Sequence, residues 1–272
     1  MRLTFTAAAF SVFTVAVAYC DDNVAKPVGV ETDHGGNPSD ISTDELVLIR
    51  SDGTKENLTK NGCMERVPAL SHDNSTLAFL RRIDSNEDGV VNWDDEVELW
   101  IMRLDNRAEA HLAKNLNEPS QATWHPKKLI LGFIATEGDK GRGLYSYNLP
   151  SKTLSRLTDD ADSWPAWSAS SDHIAFYDDK NRIVVYDCSA KSKKVLTDDV
   201  GNGWALYWTT DGRLIFTVDS NKRWMIYTPG NEAPLLLDDE IHKKLICVDQ
   251  EKFGWALTKA EQAVGGNGGQ AR

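Results

Sequence analysis

The chain has 272 residues, 41% of them hydrophobic, and a formal net charge of −11. This length suits one sizeable all-β domain, and the negative charge argues against nucleic-acid binding because it would repel a phosphate backbone. A surface of this sign suits solubility, cations or a basic partner protein.

The N-terminal segment predicts an export signal. Arg2 supplies a basic start, an apolar run extends from about Leu3 to Ala18, and Ala16 and Ala18 have the small-residue spacing of a cleavage site. The run is too short to favour a membrane span, and no other stretch approaches ~18 apolar residues. We therefore predict a signal peptide over 1–18 and an exported, periplasmic or extracellular protein without a membrane span. The alternative is a buried first strand.

Cys20 offers a second interpretation of this start, because a cysteine after the apolar run also resembles a bacterial lipoprotein. That pattern requires a small residue before the cysteine, and Tyr19 stands there. Cleavage after Ala18 is favoured, and a lipid anchor at Cys20 is the alternative. Residues 19–43 are predicted to be a disordered linker. Export permits disulfides without fixing their pairing among Cys20, Cys63, Cys188 and Cys247.

The central part of the chain repeats a unit of about 42 residues four times, with anchor positions at Leu70, Trp124, Trp167 and Trp208. The last two spacings are 43 and 41 residues, and the first, 54, becomes about 42 once a twelve-residue acidic insertion is set aside. Each unit contains four short segments rich in β-branched and aromatic residues, separated by turn residues. Four strands per repeat predict the blades of a β-propeller.

The strands can be placed in the last two units. From inner to outer they are predicted over Pro165–Ser168, His173–Tyr177, Arg182–Asp187 and Lys194–Thr197, and then over Leu206–Thr209, Arg213–Val218, Arg223–Thr228 and Pro234–Leu237. A blade cannot bury both of its faces alone, so its neighbours must supply the core. The anchor tryptophans are therefore expected to pack between blades and not to contact a ligand.

These repeats resemble the TolB-like, WD40-like propeller family, whose blades read "L-T … P-x-W-S-P-D-G-x-x-I-A-F". The matching residues are Leu58-Thr59, Leu157-Thr158 and Leu196-Thr197 for the outer strand, and Pro165, Trp167, Ser168, Ile174, Ala175 and Phe176 for the inner ones. The resemblance covers about Glu45 to Leu237 and departs from the pattern at Leu70, which replaces a Trp. It implies an all-β propeller of four-stranded blades and carries little information about function.

The number of blades depends on the two ends of the repeat region. Glu45–Arg50 and Glu56–Thr59 precede the first full unit, and Lys244–Val248 and Phe253–Leu257 follow the fourth. Joined in space, these pieces would complete a fifth blade and leave no exposed edge strand. We predict about five blades over residues 44–258, with six blades or an imperfect ring as the alternative.

The acidic insertion at 84–95 has the spacing of an EF-hand calcium loop. Gly89 stands at the sixth position, where the sharp turn requires it, and strands replace the usual flanking helices. The candidate ligands are the side chains of Asp84, Asn86, Asp88, Asn92 and Asp95 and the carbonyl group of Val90. Asp95 stands where a longer Glu is usual, which should weaken binding. We predict a structural calcium ion, with a solvated acidic hairpin as the alternative.

The connections from an outer strand to the next inner strand suggest a ligand face. Acidic residues there are followed by tryptophan, and the candidate residues are Asp160, Trp164, Asp199 and Trp204. In a ring they would lie on one rim, where carboxylates and aromatic rings can bind a basic peptide, a sugar or a cation. The alternative is that they are ordinary polar turns.

The sequence shows no catalytic motif: it lacks a G-x-S-x-G elbow, a P-loop and an H-E-x-x-H helix. We therefore expect an exported, non-enzymatic binding or scaffold protein whose partner is a protein, a peptide or a glycan. The competing hypothesis is a glycan-acting hydrolase with carboxylates in the propeller funnel. The tail, 259–272, is predicted to be flexible.

Overall fold

A computed structural model describes residues 27–33, 44–114, 116–198, 200, 206–209, 211–218 and 223–237, and in these residues the chain is all-β. They form five antiparallel sheets, each a meander of successive strands. The one helical element described is a short 3-10 turn, Gly138–Lys140, so the described part of the chain contains no helix that is long and apolar enough to cross a bilayer.

The first sheet has three strands, β1 (Pro27–Asp33), β2 (Glu45–Arg50) and β3 (Lys55–Asn57). The second has β4 (Met64–Leu70), β5 (Thr76–Arg82), β6 (Val97–Arg103) and β7 (Glu109–Leu112). The third has β8 (Thr123–Trp124), β9 (Ile130–Thr136), β10 (Arg142–Asn148) and β11 (Thr153–Asp159). The fourth has β12 (Ala161–Trp167), β13 (His173–Asp178), β14 (Ile183–Asp187) and β15 (Ser192–Val195). The fifth has β16 (Leu206–Trp208), β17 (Leu214–Val218), β18 (Arg223–Tyr227) and β19 (Leu235–Leu236).

The core lies between successive sheets, because their middle strands bury both faces. In β13 the side chains alternate between two faces. Ile174 and Phe176 pack against the third sheet, whereas Ala175 and Tyr177 pack against the fifth. Similar apolar clusters join the first sheet to the second and the second to the third. This arrangement confirms that neighbouring sheets cover one another.

The strands predicted in the third and fourth units are confirmed, with small differences at their ends. The inner strand β12 begins at Ala161, earlier than the predicted Pro165, because Ala161 pairs with Asp178 of β13. The outer strand β19 is shorter than predicted. The number of blades stays a prediction, since Lys244–Val248 and Phe253–Leu257 lie outside the described residues, as do the signal peptide, Cys20 and the tail.

One part of the predicted linker is a strand. β1 pairs antiparallel with β2, with Val30 opposite Leu48, and Val30 is buried against the second sheet. The prediction of disorder over 19–43 is therefore wrong for Pro27–Asp33. Its sequence, PVGVETD, contains few apolar residues, and its order comes from pairing with a strand that follows eleven residues later. Sheet propensity depends strongly on such context.

Tryptophans link the inner strands of adjacent sheets. The indole nitrogen of Trp124 donates to the carbonyl oxygen of Ala69 at 2.8 Å, and that of Trp208 donates to Ala166 at 3.0 Å. Trp167 instead packs against Gly132, where an added Cβ would lie 2.9 Å from the indole nitrogen. That nitrogen has no hydrogen-bond partner among the described residues. The predicted packing role of the anchor tryptophans is confirmed.

Replacing Trp208 with Phe should therefore destabilise the protein more than replacing Trp167 with Phe. Both rings are half-buried, but only Trp208 loses a hydrogen bond, which contributes about 1 kcal/mol. Urea unfolding of the two variants measures the difference. Equal losses of unfolding free energy would show that the Trp208 bond makes no net contribution.

The residue after each anchor closes a tight turn into the second strand. Ser71, Ser168 and Thr209 each accept a backbone N–H with the side-chain hydroxyl oxygen, at 3.0 to 3.1 Å. In the third sheet the same position is His125, whose Nδ1 accepts instead the N–H of Lys127, two residues later within the turn, at 3.0 Å. All four side chains are buried. Histidine thus replaces a hydroxyl residue in one of four equivalent turns.

The turn at His125 requires a neutral imidazole, because Nδ1 must keep a lone pair to accept the N–H. Burial, followed by the charges of Lys128, His72 and Lys127, lowers the pKa of His125 from 6.5 to about 4. Between pH 6.5 and about 4, this histidine binds a proton in the unfolded chain but not in the folded chain. Stability from this site is therefore present above pH 6.5 and is lost as the pH falls towards 4.

Lowering the pH from 7.5 to 5 should cost the wild type up to about 2 kcal/mol more than it costs His125→Ser. Serine keeps a turn-closing acceptor, as in the other sheets, but does not titrate. Urea unfolding at the two pH values measures this difference, and the acidic groups common to both proteins cancel. Parallel pH profiles would contradict the assignment.

Candidate functional site

The acidic insertion and the outer-to-inner connection of the second sheet emerge from the same end of that sheet. β5 and β7 run in the same direction, because neighbours in an antiparallel meander alternate. Connections 83–96 and 113–122 therefore extend from the same end of the second sheet. Arg142 extends this end to the next sheets, since its guanidinium donates to the carbonyl oxygens of Glu118 at 3.1 Å and Asp162 at 2.8 Å. We call this end of the sheets the loop end.

The first half of the insertion folds its side-chain oxygens inward. The carboxylate of Asp84 accepts the N–H groups of Asp88 at 3.0 Å and Gly89 at 2.8 Å. Asn86 accepts the Asp88 N–H at 2.9 Å, and Asp88 accepts the N–H of Val90 at 2.8 Å. Gly89 has a φ of 86°, a left-handed value that glycine adopts without strain. The sequence prediction of a sharp turn at Gly89 agrees with this geometry.

Asp95 ties the second half of the loop to its beginning. One carboxylate oxygen accepts the N–H and the hydroxyl of Ser85 at 3.0 and 3.1 Å, and the other accepts the N–H of Asn92 at 2.8 Å. The hydrogen bond from Asn92, followed by those from Ser85, lowers the pKa of this carboxyl. The amide of Asn92 also donates to the Val90 carbonyl at 3.3 Å. Asp95 therefore remains ionised and keeps the loop closed.

All six predicted ligands thus belong to one closed loop, and all six offer oxygen atoms. Among the described residues, no three His, Cys, Asp or Glu side chains are grouped closely enough to hold a metal ion by themselves. A metal shell in this loop would therefore require amide and carbonyl oxygens as well as carboxylates. Oxygen donors of mixed kind are what calcium takes in proteins.

Trp93 connects the insertion to the second sheet, a role that was not predicted from the sequence. The guanidinium carbons of Arg66 and Arg82 lie 4.7 and 4.9 Å from its ring centroid. Arg66 forms an ion pair with the buried Asp44, and Arg82 donates to the carbonyl oxygens of Trp93 and Asp95. The insertion is therefore held at a defined position above the ends of β4 and β5. The feature of the sequence that could have indicated this contact is an arginine near one end of each strand, Arg66 in β4 and Arg82 in β5.

Two of the four predicted ligand-face residues, Asp160 and Trp164, belong to the part of the chain that the structure describes. Asp160 is exposed and pairs with the ammonium group of Lys193 at 3.0 Å. Trp164 packs against the cluster between the fourth and fifth sheets. Asp199 and Trp204 lie outside the described residues. The ligand face stays a prediction, and the structure gives each of its two described residues a structural partner.

Trp164 also marks a repeated irregularity of the inner strands. It has a φ of 56° within a register shift of β12, and Val67 has a φ of 54° within the corresponding shift of β4. Each stands three residues before its anchor and is followed by proline. A β-branched or aromatic residue at positive φ is uncommon and stores strain. These bulges bend the inner strands near the loop end.

A buried charge cluster lies beneath the loop end and was missed from the sequence. Arg81 donates to Glu65 at 2.7 Å and to Glu109 at 2.7 and 3.1 Å, and its guanidinium carbon lies 4.6 Å from the Trp100 ring centroid. Glu65 is fully buried. Burial, together with the charge of Glu65, raises the pKa of Glu45. One oxygen each of Glu45 and Glu65 is buried without a hydrogen-bond partner in the described structure.

The cysteines of the described region are free thiols. Cys63 and Cys188 are both half-buried and unpaired, so they do not form the disulfide that export would permit. Burial, followed by the charges of Asp187 and Asp172, raises the pKa of the Cys188 thiol to about 11. A protonated thiol is a poor nucleophile. The other two cysteines, Cys20 and Cys247, lie outside the described residues.

Comparison with known proteins gives a result for the fold. The sequence matches no protein-family model and no curated protein. TolB from Acinetobacter baumannii is similar in structure, with a TM-score of 0.53 and 18% identity over 73% of this chain and 50% of that chain. A TolB candidate from Agrobacterium tumefaciens has a TM-score of 0.52 and 15% identity over 71% of this chain and 73% of that chain. An oligogalacturonate lyase from Vibrio parahaemolyticus has a TM-score of 0.53 and 9% identity over 71% of this chain and 59% of that chain.

These similarities show a shared backbone fold and nothing more, since all three sequence identities are below 20%. The chain spans about half the length of the Acinetobacter TolB and a little over half that of the lyase. Meandering sheets that cover one another agree with both kinds of neighbour. The fold of this chain is that of a TolB-like propeller.

Proposed function

We propose that the chain is an exported, non-enzymatic binding or scaffold protein with a protein or peptide partner and a structural calcium ion in the insertion. The observation that carries the proposal is Trp93, a large aromatic side chain that is 56% exposed on a loop held closed by Asp95. An aromatic residue fixed in place and open to solvent is characteristic of binding surfaces. The TolB-like fold supports this interpretation without assigning a partner.

A glycan-acting enzyme is the competing proposal, and the fold shared with an oligogalacturonate lyase is the observation in its favour. The acidic pair with unpartnered oxygens, Glu45 and Glu65, is the natural candidate for its acid and base. However, Glu65 is fully buried and bound to Arg81. A carboxylate so covered cannot reach a sugar without local opening, which favours the binding function.

The binding function predicts that immobilised protein retains a partner from the exported fraction and that Trp93→Ala loses it. A matched control is Leu236→Ala, which removes another exposed apolar side chain, 64% exposed, from the outer edge of the fifth sheet. Retained proteins are compared by mass spectrometry. If the wild type retained nothing and cleaved oligogalacturonate in solution, the enzyme proposal would replace the binding one.

Calcium fits the residues that the insertion offers. Asp84, Asn86, Asp88, Asn92, Asp95 and the Val90 carbonyl would hold the ion with hard oxygen atoms. The two positive charges of the ion would offset the repulsion among three carboxylates that lie within twelve residues. Its role here is to stiffen the loop that presents Trp93, since the sheets below the loop are already closed by apolar packing.

Calcium should raise the melting temperature of the wild type and leave Asp84→Asn and Asp88→Asn unchanged. At one hundred times the dissociation constant the gain is about 2.7 kcal/mol, which is a shift of roughly 5 to 10 °C for a protein of this size. Glu87→Gln is the matched control, because it removes a loop charge without removing a proposed ligand. Absence of calcium uptake by titration calorimetry at millimolar concentration would reject the site.

A further inference from the structure

A cleft of about 630 Å³ opens at the loop end, between the insertion and the β7–β8 connection. One wall is formed by residues 93–97 together with Arg82, and the other by residues 117–119. The insertion wall is held by Asp95 and by the Arg66–Trp93–Arg82 contacts described above. The opposite wall is held by Arg142, which bonds to the Glu118 carbonyl. Both walls therefore have fixed positions, and the volume is in the range of ligand sites.

The cleft is acidic. Asp94, Glu96 and Glu118 line it, and neither Asp94 nor Glu96 has an ion-pair partner among the described residues. The side chain of Glu118 is 76% exposed and has two long contacts, with the Thr136 hydroxyl at 3.4 Å and the Arg142 guanidinium at 3.5 Å. Arg82 is the one basic residue of the lining, and its guanidinium already serves the carbonyls of Trp93 and Asp95. The lining therefore carries more acidic than basic side chains, beside an exposed indole.

The charge and shape of the cleft discriminate among ligand classes. An anionic sugar such as a uronate would meet carboxylates of the same sign. A neutral sugar would stack on an aromatic face, and at Trp93 the guanidinium groups of Arg66 and Arg82 already lie over the ring and would compete with it. A cationic chain satisfies both conditions, because its charges pair with carboxylates and its aliphatic stems pack against the indole edge.

We propose that this cleft binds a basic peptide segment of a partner protein, whose lysine or arginine side chains enter between the insertion and the β7–β8 connection. The inference rests on the proposed binding function and names its ligand class. It places the site at the insertion, and neither Asp160 nor Trp164 lines it. Because Trp93 and Asp94 belong to the insertion, an ion bound in the loop would fix one wall of the cleft and strengthen binding.

The test uses a fluorescently labelled peptide of eight alternating lysine and alanine residues, with a glutamate-alanine peptide as the comparison, in calcium-containing buffer. The full chain should bind the lysine peptide, more weakly at high salt, and should not bind the glutamate peptide. The double variant Asp94→Asn, Glu96→Gln should bind the lysine peptide about tenfold more weakly, since each exposed pair accounts for up to about fivefold. Fluorescence anisotropy gives the dissociation constants.

Two further variants separate the cleft from general charge and from loop damage. Glu118→Gln lies on the opposite wall, outside the insertion, and should weaken binding up to about fivefold while leaving the calcium-dependent melting shift intact. Asp172→Asn, Glu232→Gln removes the same charge from turns at the other end of the sheets and should bind within about twofold of the wild type.

Equal binding of the lysine peptide by all variants would show that the cleft is not the peptide site, and it would leave the proposed binding function uncontradicted. A wild type that retains its partner through Trp93 but ignores the lysine peptide would overturn the ligand class alone. A wild type that binds oligogalacturonate and no peptide would overturn both the inference and the proposed function.

Discussion

The structure depends on one constraint, which is that a small sheet between two others must bury two apolar faces. In β17 five consecutive residues, Leu214–Val218, are all buried, and in β13 four consecutive apolar residues are divided between two neighbouring sheets. A meander of three or four short strands cannot satisfy this requirement alone, so its stability comes from the sheets on either side. Trp124 and Trp208 reinforce the same contacts, because their indole nitrogens donate to the backbone of the preceding inner strand.

This constraint leaves the connections as the place for specific chemistry. Strand residues that face two neighbours are committed to packing, whereas the connections at the loop end are free to carry charge and exposed aromatic rings. The insertion shows how such a loop acquires a defined position. Carboxylates of the insertion accept hydrogen bonds from backbone N–H groups of the same loop, and Asp95 joins its two halves. Trp93 packs against the guanidinium groups of Arg66 and Arg82. Rigidity of this kind lowers the entropic cost of binding a partner.

The buried charges show a different use of polar residues. Glu65, Arg81 and Glu109 form a charge cluster inside the second sheet, and it is held by bidentate bonding and by the Trp100 ring. Removing one member would leave a buried charge without its partner, which is costly. The cluster lies on β4, β5 and β7 and so fixes the relative positions of strands whose ends support the insertion. It is a structural base for the loop end.

The sequence by itself determined the repeat, the all-β class, most strands of the fourth and fifth sheets and the turn chemistry of the insertion. These features are local, because a period of about 42 residues, alternating side chains and a glycine at a fixed offset are visible in a short window. Tertiary structure alone decided that Pro27–Asp33 is a strand, that two arginines lie over the Trp93 ring, and that Glu65 is buried against Arg81. Each of these depends on a partner distant in the chain or on a neighbouring sheet, for example Val30 with Leu48 and Arg66 with Trp93. The cleft at the loop end has the same origin, since its two walls come from connections that only the meander brings together.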